Sequence, residues 1–143
     1  MAEQSYKNHT RFLPPFHFFT IPILAANVVY AGRHVYNAPN ITTAWSLIVA
    51  VALVMMGLLS RLQALAAQDR VIRLEMRLRL KQLLPADQQS KINDLSTQQL
   101  VALRFAGDAE LPGLVSDVLS GKLPKSKDIK MGIKNWQADW QRV

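Results

Sequence analysis

Apolar positions are not spread evenly along this chain. They crowd into the first sixty residues as two runs. Phe12 to Gly32 is 21 residues without Asp, Glu, Lys or Arg, and Ile41 to Ser60 is another 20. A bilayer core about 30 Å thick needs roughly 20 apolar residues in a helix. The pattern therefore predicts two transmembrane helices, at about 12–35 and 41–60. The second run has no proline and is rich in Ala, Val and Leu. The first holds Pro14, Pro15, Pro22, His17 and Asn27. Its helix is expected to start near Pro14 or Pro15 and to kink around Pro22. A secretory signal peptide is the rival reading, with Lys7 and Arg11 in front and Val29-Tyr30-Ala31 as a cleavage site. The length of the run and its prolines speak against it.

The connection RHVYNAPN (33–40) is short and carries Asn and Pro, so the two helices should be antiparallel neighbours. No Gly or Pro occurs between Ser60 and Leu84. Helix two should therefore run on past its apolar part, from about Thr43 to Leu84, and stop before Pro85. On this extension Leu62, Leu65, Ile72, Met76, Leu80 and Leu83 share one stripe, with Asp69 inside it. Val71, Leu74 and Leu78 make a second, smaller stripe, and Arg70, Arg73, Arg77 and Lys81 form a basic column between them. A helix with two apolar faces needs two sets of neighbours. One set would be the chain's own tail and the other another subunit. Leu62, Leu65, Asp69, Ile72 and Met76 follow the 3-4 spacing of a coiled-coil seam, which makes them the candidate self-association interface, with Asp69 setting register. At the next seam position stands Arg79, so the seam is short.

Residues 85–143 read as a small helical tail domain of three or four short helices. Pro85 opens the first. Ser96 is the expected N-cap of a helix ended by Gly107, and Asp108 that of a helix ended by Gly121. A last helix is expected from Ser126 to Trp140, with Ile129, Ile133, Trp136 and Trp140 on one stripe. About sixty residues bury only a marginal core, so the tail should lean on the long helix or on a neighbour. The fold expected is all-α: a two-helix transmembrane hairpin (1–60), a cytoplasmic extension of helix two (61–84) and the tail (85–143).

Charge fixes the expected orientation. The net charge is +7, from 17 Lys and Arg against 10 Asp and Glu. Lys7 and Arg11 precede helix one. Arg61, Arg70, Arg73, Arg77, Arg79 and Lys81 follow the apolar part of helix two, and the loop carries only Arg33. Lys and Arg favour the cytoplasmic side, so both termini should be cytoplasmic. Arg61, Arg70 and Arg73 are candidates for contact with lipid headgroups.

Chemistry is sparse. There is no cysteine, which removes disulfides, thiolate metal sites and cysteine nucleophiles. His9, His17 and His34 do not share metal-ligand spacing. Neither a phosphate loop nor a Ser-His-Asp set is visible, so no enzyme, cofactor or small-molecule substrate is expected, and the nearly neutral tail speaks against nucleic acid. Asp108 and Glu110 are expected to act at a helix start. His17, Thr20 and Asn27 give helix one a polar side, for hydrogen bonds between helices, with a pore lining or, for His17, a cofactor ligand as the alternatives. Asn8-His9-Thr10 and Asn40-Ile41-Thr42 match the glycosylation pattern and are read as chance.

QDRVIRLEMRLRLKQLLP (68–85), QQLVALRFAGDAELPGLV (98–115) and IKMGIKNWQADWQRV (129–143), with NHTRFLPPFHF (8–18), resemble a family of small bacterial membrane proteins of unknown function. The resemblance spans nearly the whole chain. It implies a bacterial inner membrane and two helices, and it brings no activity. The leading functional expectation is a non-catalytic membrane scaffold or accessory subunit, partnered by lipid and by copies of itself or other membrane subunits. A small oligomeric channel or transporter lined by helix one and a membrane-anchored cytoplasmic adaptor are the alternatives.

Overall fold

The computed structural model describes residues 13–139. Among them the secondary structure is all-helical, apart from one isolated antiparallel bridge between Ala106 and Trp136. A π-helical segment, Pro15–Thr20, leads into α1 (Ile21–Asn37). The long α2 (Ile41–Leu83) follows. Then come α3 (Ala86–Gln89), a 3-10 turn (Ser90–Asp94), α4 (Thr97–Leu103), α5 (Leu111–Leu119) and α6 (Ser126–Gly132). The described residues form two compact units, 13–65 and 66–139, and α2 contributes to both.

In the first unit the chain meets Pro22, where the sequence predicts a kink, with a widened turn just before it. Proline at 22 has no N–H for the Phe18 carbonyl four residues back, and its ring crowds that carbonyl. The helix widens there. Ile21 N–H reaches Phe16 O, five residues back, and Thr20 Oγ1 donates to Pro15 O at 3.0 Å. One π-helical turn thus absorbs the misfit before regular α1 begins.

Asn40 starts α2. Its Oδ1 accepts from the N–H of Thr42 (2.9 Å) and of Thr43 (3.0 Å). Thr43 Oγ1 accepts in return from Asn40 N–H at 3.1 Å and donates to Ala38 O at 2.9 Å. The Asn40-Ile41-Thr42 triplet is therefore part of a helix cap. Ala31 and Ala50 are the buried residues of this unit, and a methyl group added at Gly57 would meet Leu24 Cδ1 at 3.5 Å. Small residues thus let α1 and α2 come close. Phe18, Val29, Ile41, Ile48, Met56 and Leu59 point outward and are exposed. Both helices are long and apolar enough to cross a membrane.

The second unit is built on the end of α2. Ile72, Met76, Leu80 and Leu84 enter one core with Ile92, Leu100, Leu103, Leu111, Val115 and Ile129. The helix stops at Leu83, just before Pro85. Ser96 caps α4 through a reciprocal capping box with Gln99, as its spacing predicts. Helix α5 ends in a Schellman turn. Gly121 sits at φ +80°. Its N–H donates to Val118 O at 3.1 Å and that of Lys122 donates to Asp117 O at 3.0 Å.

Two sequence expectations fail here. The last helix does not reach Trp140, which lies outside the described residues. It stops at Gly132, and Ile133 is already extended (φ −71°, ψ 122°). The Ile129–Ile133–Trp136 stripe is thus broken. Asp108 does not cap α5 either. The N-cap is Glu110, with Pro112 in the first turn. Both departures come from tertiary hydrogen bonds that centre on Glu110 and Arg79.

Candidate functional site

Arg79 lies on α2, one turn beyond Met76. Its Nε donates to Asp108 Oδ1 at 2.8 Å. Its Nη2 donates to Ala106 O at 2.7 Å and to Gln137 Oε1 at 2.8 Å, and its Nη1 to Arg104 O at 3.3 Å. One guanidinium thereby ties α2 to the α4–α5 turn and to the segment that follows α6. Only arginine has a planar fork with enough donors for this. Arg79 was legible only as an interruption of the hydrophobic seam. A cation on an otherwise buried stripe is itself a signal that it has partners, since an unpaired one is costly.

Glu110 holds the other end of that segment. Its carboxylate accepts from Lys134 N–H (3.0 Å), Asn135 N–H (3.1 Å) and Gly107 N–H (3.3 Å). Gly107 N–H also donates to Asn135 O at 3.0 Å, and Gln137 N–H to Phe105 O at 2.7 Å. These bonds draw residues 133–137 out of helical conformation. They seat Trp136 flat on Phe105, with ring centroids 4.6 Å apart. Arg104 Cζ lies 4.5 Å from the Phe105 ring centre, and its Nε pairs with Asp139 at 3.1 Å. The Arg104-Phe105 step thus carries the domain's aromatic clasp.

A groove of about 600 Å³ runs beside this network, lined by Gln68, Glu75, Arg79, Arg104, Gln137 and Asp139 among others. Its two arginines are matched by Asp108 and Asp139, so it offers no net positive cradle for an anion. Lys122 pairs with Asp117 at 2.8 Å in the open. That hydrogen bond, with the carboxylate's charge, holds the Lys122 ammonium above its ordinary value. Among the described residues, no three His, Asp or Glu side chains gather as metal ligands.

The candidate seam residues part company. Ile72 and Met76 are buried in the chain's own core. Leu65 and Asp69 are half-buried, and Leu62 is exposed. The three ion pairs among the described residues do not include Asp69, so Arg73 does not neutralise it there. The tail covers the stronger stripe from Ile72 onward, while Val71, Leu74 and Leu78 on the second stripe stand 55%, 62% and 54% exposed. Of the candidate headgroup residues, Arg70 is exposed and Arg61 and Arg73 are half-buried.

The polar residues of helix one do not converge. His17 Nδ1 lies 3.1 Å from Leu13 N and 3.0 Å from Leu13 O, and Thr20 bonds to Pro15 as described. Asn27 alone lines a cavity of about 610 Å³, with Tyr30, His34, Thr43, Trp45 and Ser46 near the α1–α2 connection. His34 meets Tyr30 edge-on, with centroids 4.5 Å apart.

No curated protein and no solved structure matches the chain. A family model does match, over residues 1–143, and with that the chain belongs to a family of unknown function, DUF6526.

Proposed function

We propose that this protein is a non-catalytic membrane subunit, held by an α1–α2 transmembrane hairpin and acting through assembly of its helical domain. One observation carries the reading: the apolar side chains of α1 and of the first half of α2 face outward. Val29 is 73% exposed and Ile41 86%. A surface of this kind needs lipid or protein over it, and in a bilayer the helical backbone satisfies its own polar groups. The aromatic residues Tyr30, Tyr36 and Trp45 near the connection suit the membrane–water interface. The basic run from Arg61 to Lys81, against Arg33 alone at the end of α1 near the connection, favours cytoplasmic ends in a bacterial inner membrane.

Two measurements test this. The chain should stay with membranes after alkaline carbonate washing. Single cysteines at Asn37 and Lys127, both exposed, should label from opposite sides of sealed vesicles. Release by carbonate sinks the membrane part, and labelling of both positions from one side sinks the topology.

A further inference from the structure

We infer that the uncovered stripe on α2 is a parallel two-stranded seam for a second copy of this chain. The proposal rests on the assembly part of the proposed function and names its partner and geometry. Ala67, Val71, Leu74 and Leu78 are spaced 4, 3 and 4 on α2 and all are exposed. In heptad terms Val71 and Leu78 are a positions, and Ala67 and Leu74 are d positions. Val71 at a with Leu74 at d is the pairing that favours two strands, while Leu78 at a and Ala67 at d add apolar surface without setting strand number. The buried face of the same helix (Ile72, Met76, Leu80) corresponds to the b, c and f positions. Those positions point away from a coiled-coil partner, so the tail and a second helix lie on opposite sides of α2, with Val71 and Glu75 at the edge of the groove toward Gln137 and Asp139.

Charge decides the partner and its direction. Arg70 and Arg77 flank the seam at g positions and Glu75 at the e position between them. In a parallel pair, each g residue faces the e residue five positions later on the other helix. Arg70 then meets Glu75 of the second copy, twice by symmetry, and Arg77 meets Gln82. An antiparallel pair would set g against g and e against e, placing arginine on arginine. Arg70 and Glu75 are both exposed in the single chain, ready for such contacts. The seam ends at Lys81, the next d position, where two ammonium groups would meet. Two heptads are a short seam, and holding both copies in one membrane would raise their effective concentration.

The sequence has no cysteine, so single-cysteine variants of the full chain in its expression membranes give a clean test. On oxidation, Leu74→Cys should yield a disulfide-linked product at twice the 16.1 kDa monomer mass, and Arg73→Cys should not. Adding Glu75→Lys should cut the product on the order of tenfold, as two attractions become repulsions. The exchange Arg70→Glu with Glu75→Arg should restore it without touching the core. Dimer from Leu62→Cys in place of Leu74→Cys would overturn the proposal in favour of the other stripe. A Leu74→Cys chain that stays monomeric, as when lipid shields the residue, or that links to a different protein would overturn it too. Carbonate washing of the same samples keeps the readings apart. A chain that washes off yet dimerises at Leu74 fails the membrane reading and keeps the seam, and a retained chain that does not dimerise does the reverse.

Discussion

Arg79 and Asp108 are 29 residues apart in sequence and 2.8 Å apart in space. Their pairing marks the point where the long helix and the tail become one domain. Yet the carboxylate is the lesser part of it. The Asp108 side chain is 65% exposed, against 22% for Arg79, so solvent screens the ion pair. The bonds that Arg79 donates to Ala106 O and Arg104 O lie deeper.

Arg79→Ala is therefore expected to destabilise the domain by about 2–3 kcal/mol, chiefly through unsatisfied backbone carbonyls. Asp108→Ala should cost under about 1 kcal/mol. Arg79→Lys should not rescue, because an ammonium lacks the planar fork. Denaturant midpoints of the three variants check this ranking. Equal effects of the two alanine changes would refute it.

Glu110 accepts three backbone N–H groups from two segments. Glu110→Ala should leave them without that acceptor and cost about 1–3 kcal/mol. Hydrogen exchange should rise at residues 134–137 while α4 keeps its protection. Unchanged exchange there would show that the carboxylate does not hold this segment.

At Gly107 an added Cβ would come within 2.6 Å of Asn135 Nδ2 and 3.1 Å of its Cγ. Gly107→Ala alone should thus destabilise only modestly, by about 1 kcal/mol or less, because the exposed Asn135 amide can turn aside. Asn135→Ala should relieve much of this in the double variant, giving a coupling of about 0.5 kcal/mol or more in a double-mutant cycle. Strict additivity would mean that the two residues do not meet.

Ile72 and Leu62 lay on one predicted seam, and the structure separates them. Ile72→Ala should cost about 2–4 kcal/mol as a core truncation. Leu62→Ala should stay within about 0.5 kcal/mol, as at an exposed site. Protease resistance of the tail should fall only for the Ile72 variant. A tail equally resistant in both would place Ile72 outside the core.

The all-helical character was legible in the sequence because it rests on local rules. Two long runs without charge, the absence of Gly and Pro between Ser60 and Leu84, and Pro85 as a stop are enough for two helices, the second unbroken. Ser96 with Gln99, and Gly121, mark helix ends through bonds that close within a few residues, so their positions could be read directly. The tertiary structure decided whatever depends on partners distant in sequence. Glu110 and Arg79 pull the segment after Gly132 out of a helix that its periodicity favours, and they turn Asp108 from a cap into an ion-pair partner. Periodicity showed two apolar stripes on α2 and pointed to the larger one for self-association, but spacing records which residues share a face and not what lies against it. Packing made the choice: Ile72, Met76 and Leu80 went to the chain's own core, and Val71, Leu74 and Leu78 were left for another surface.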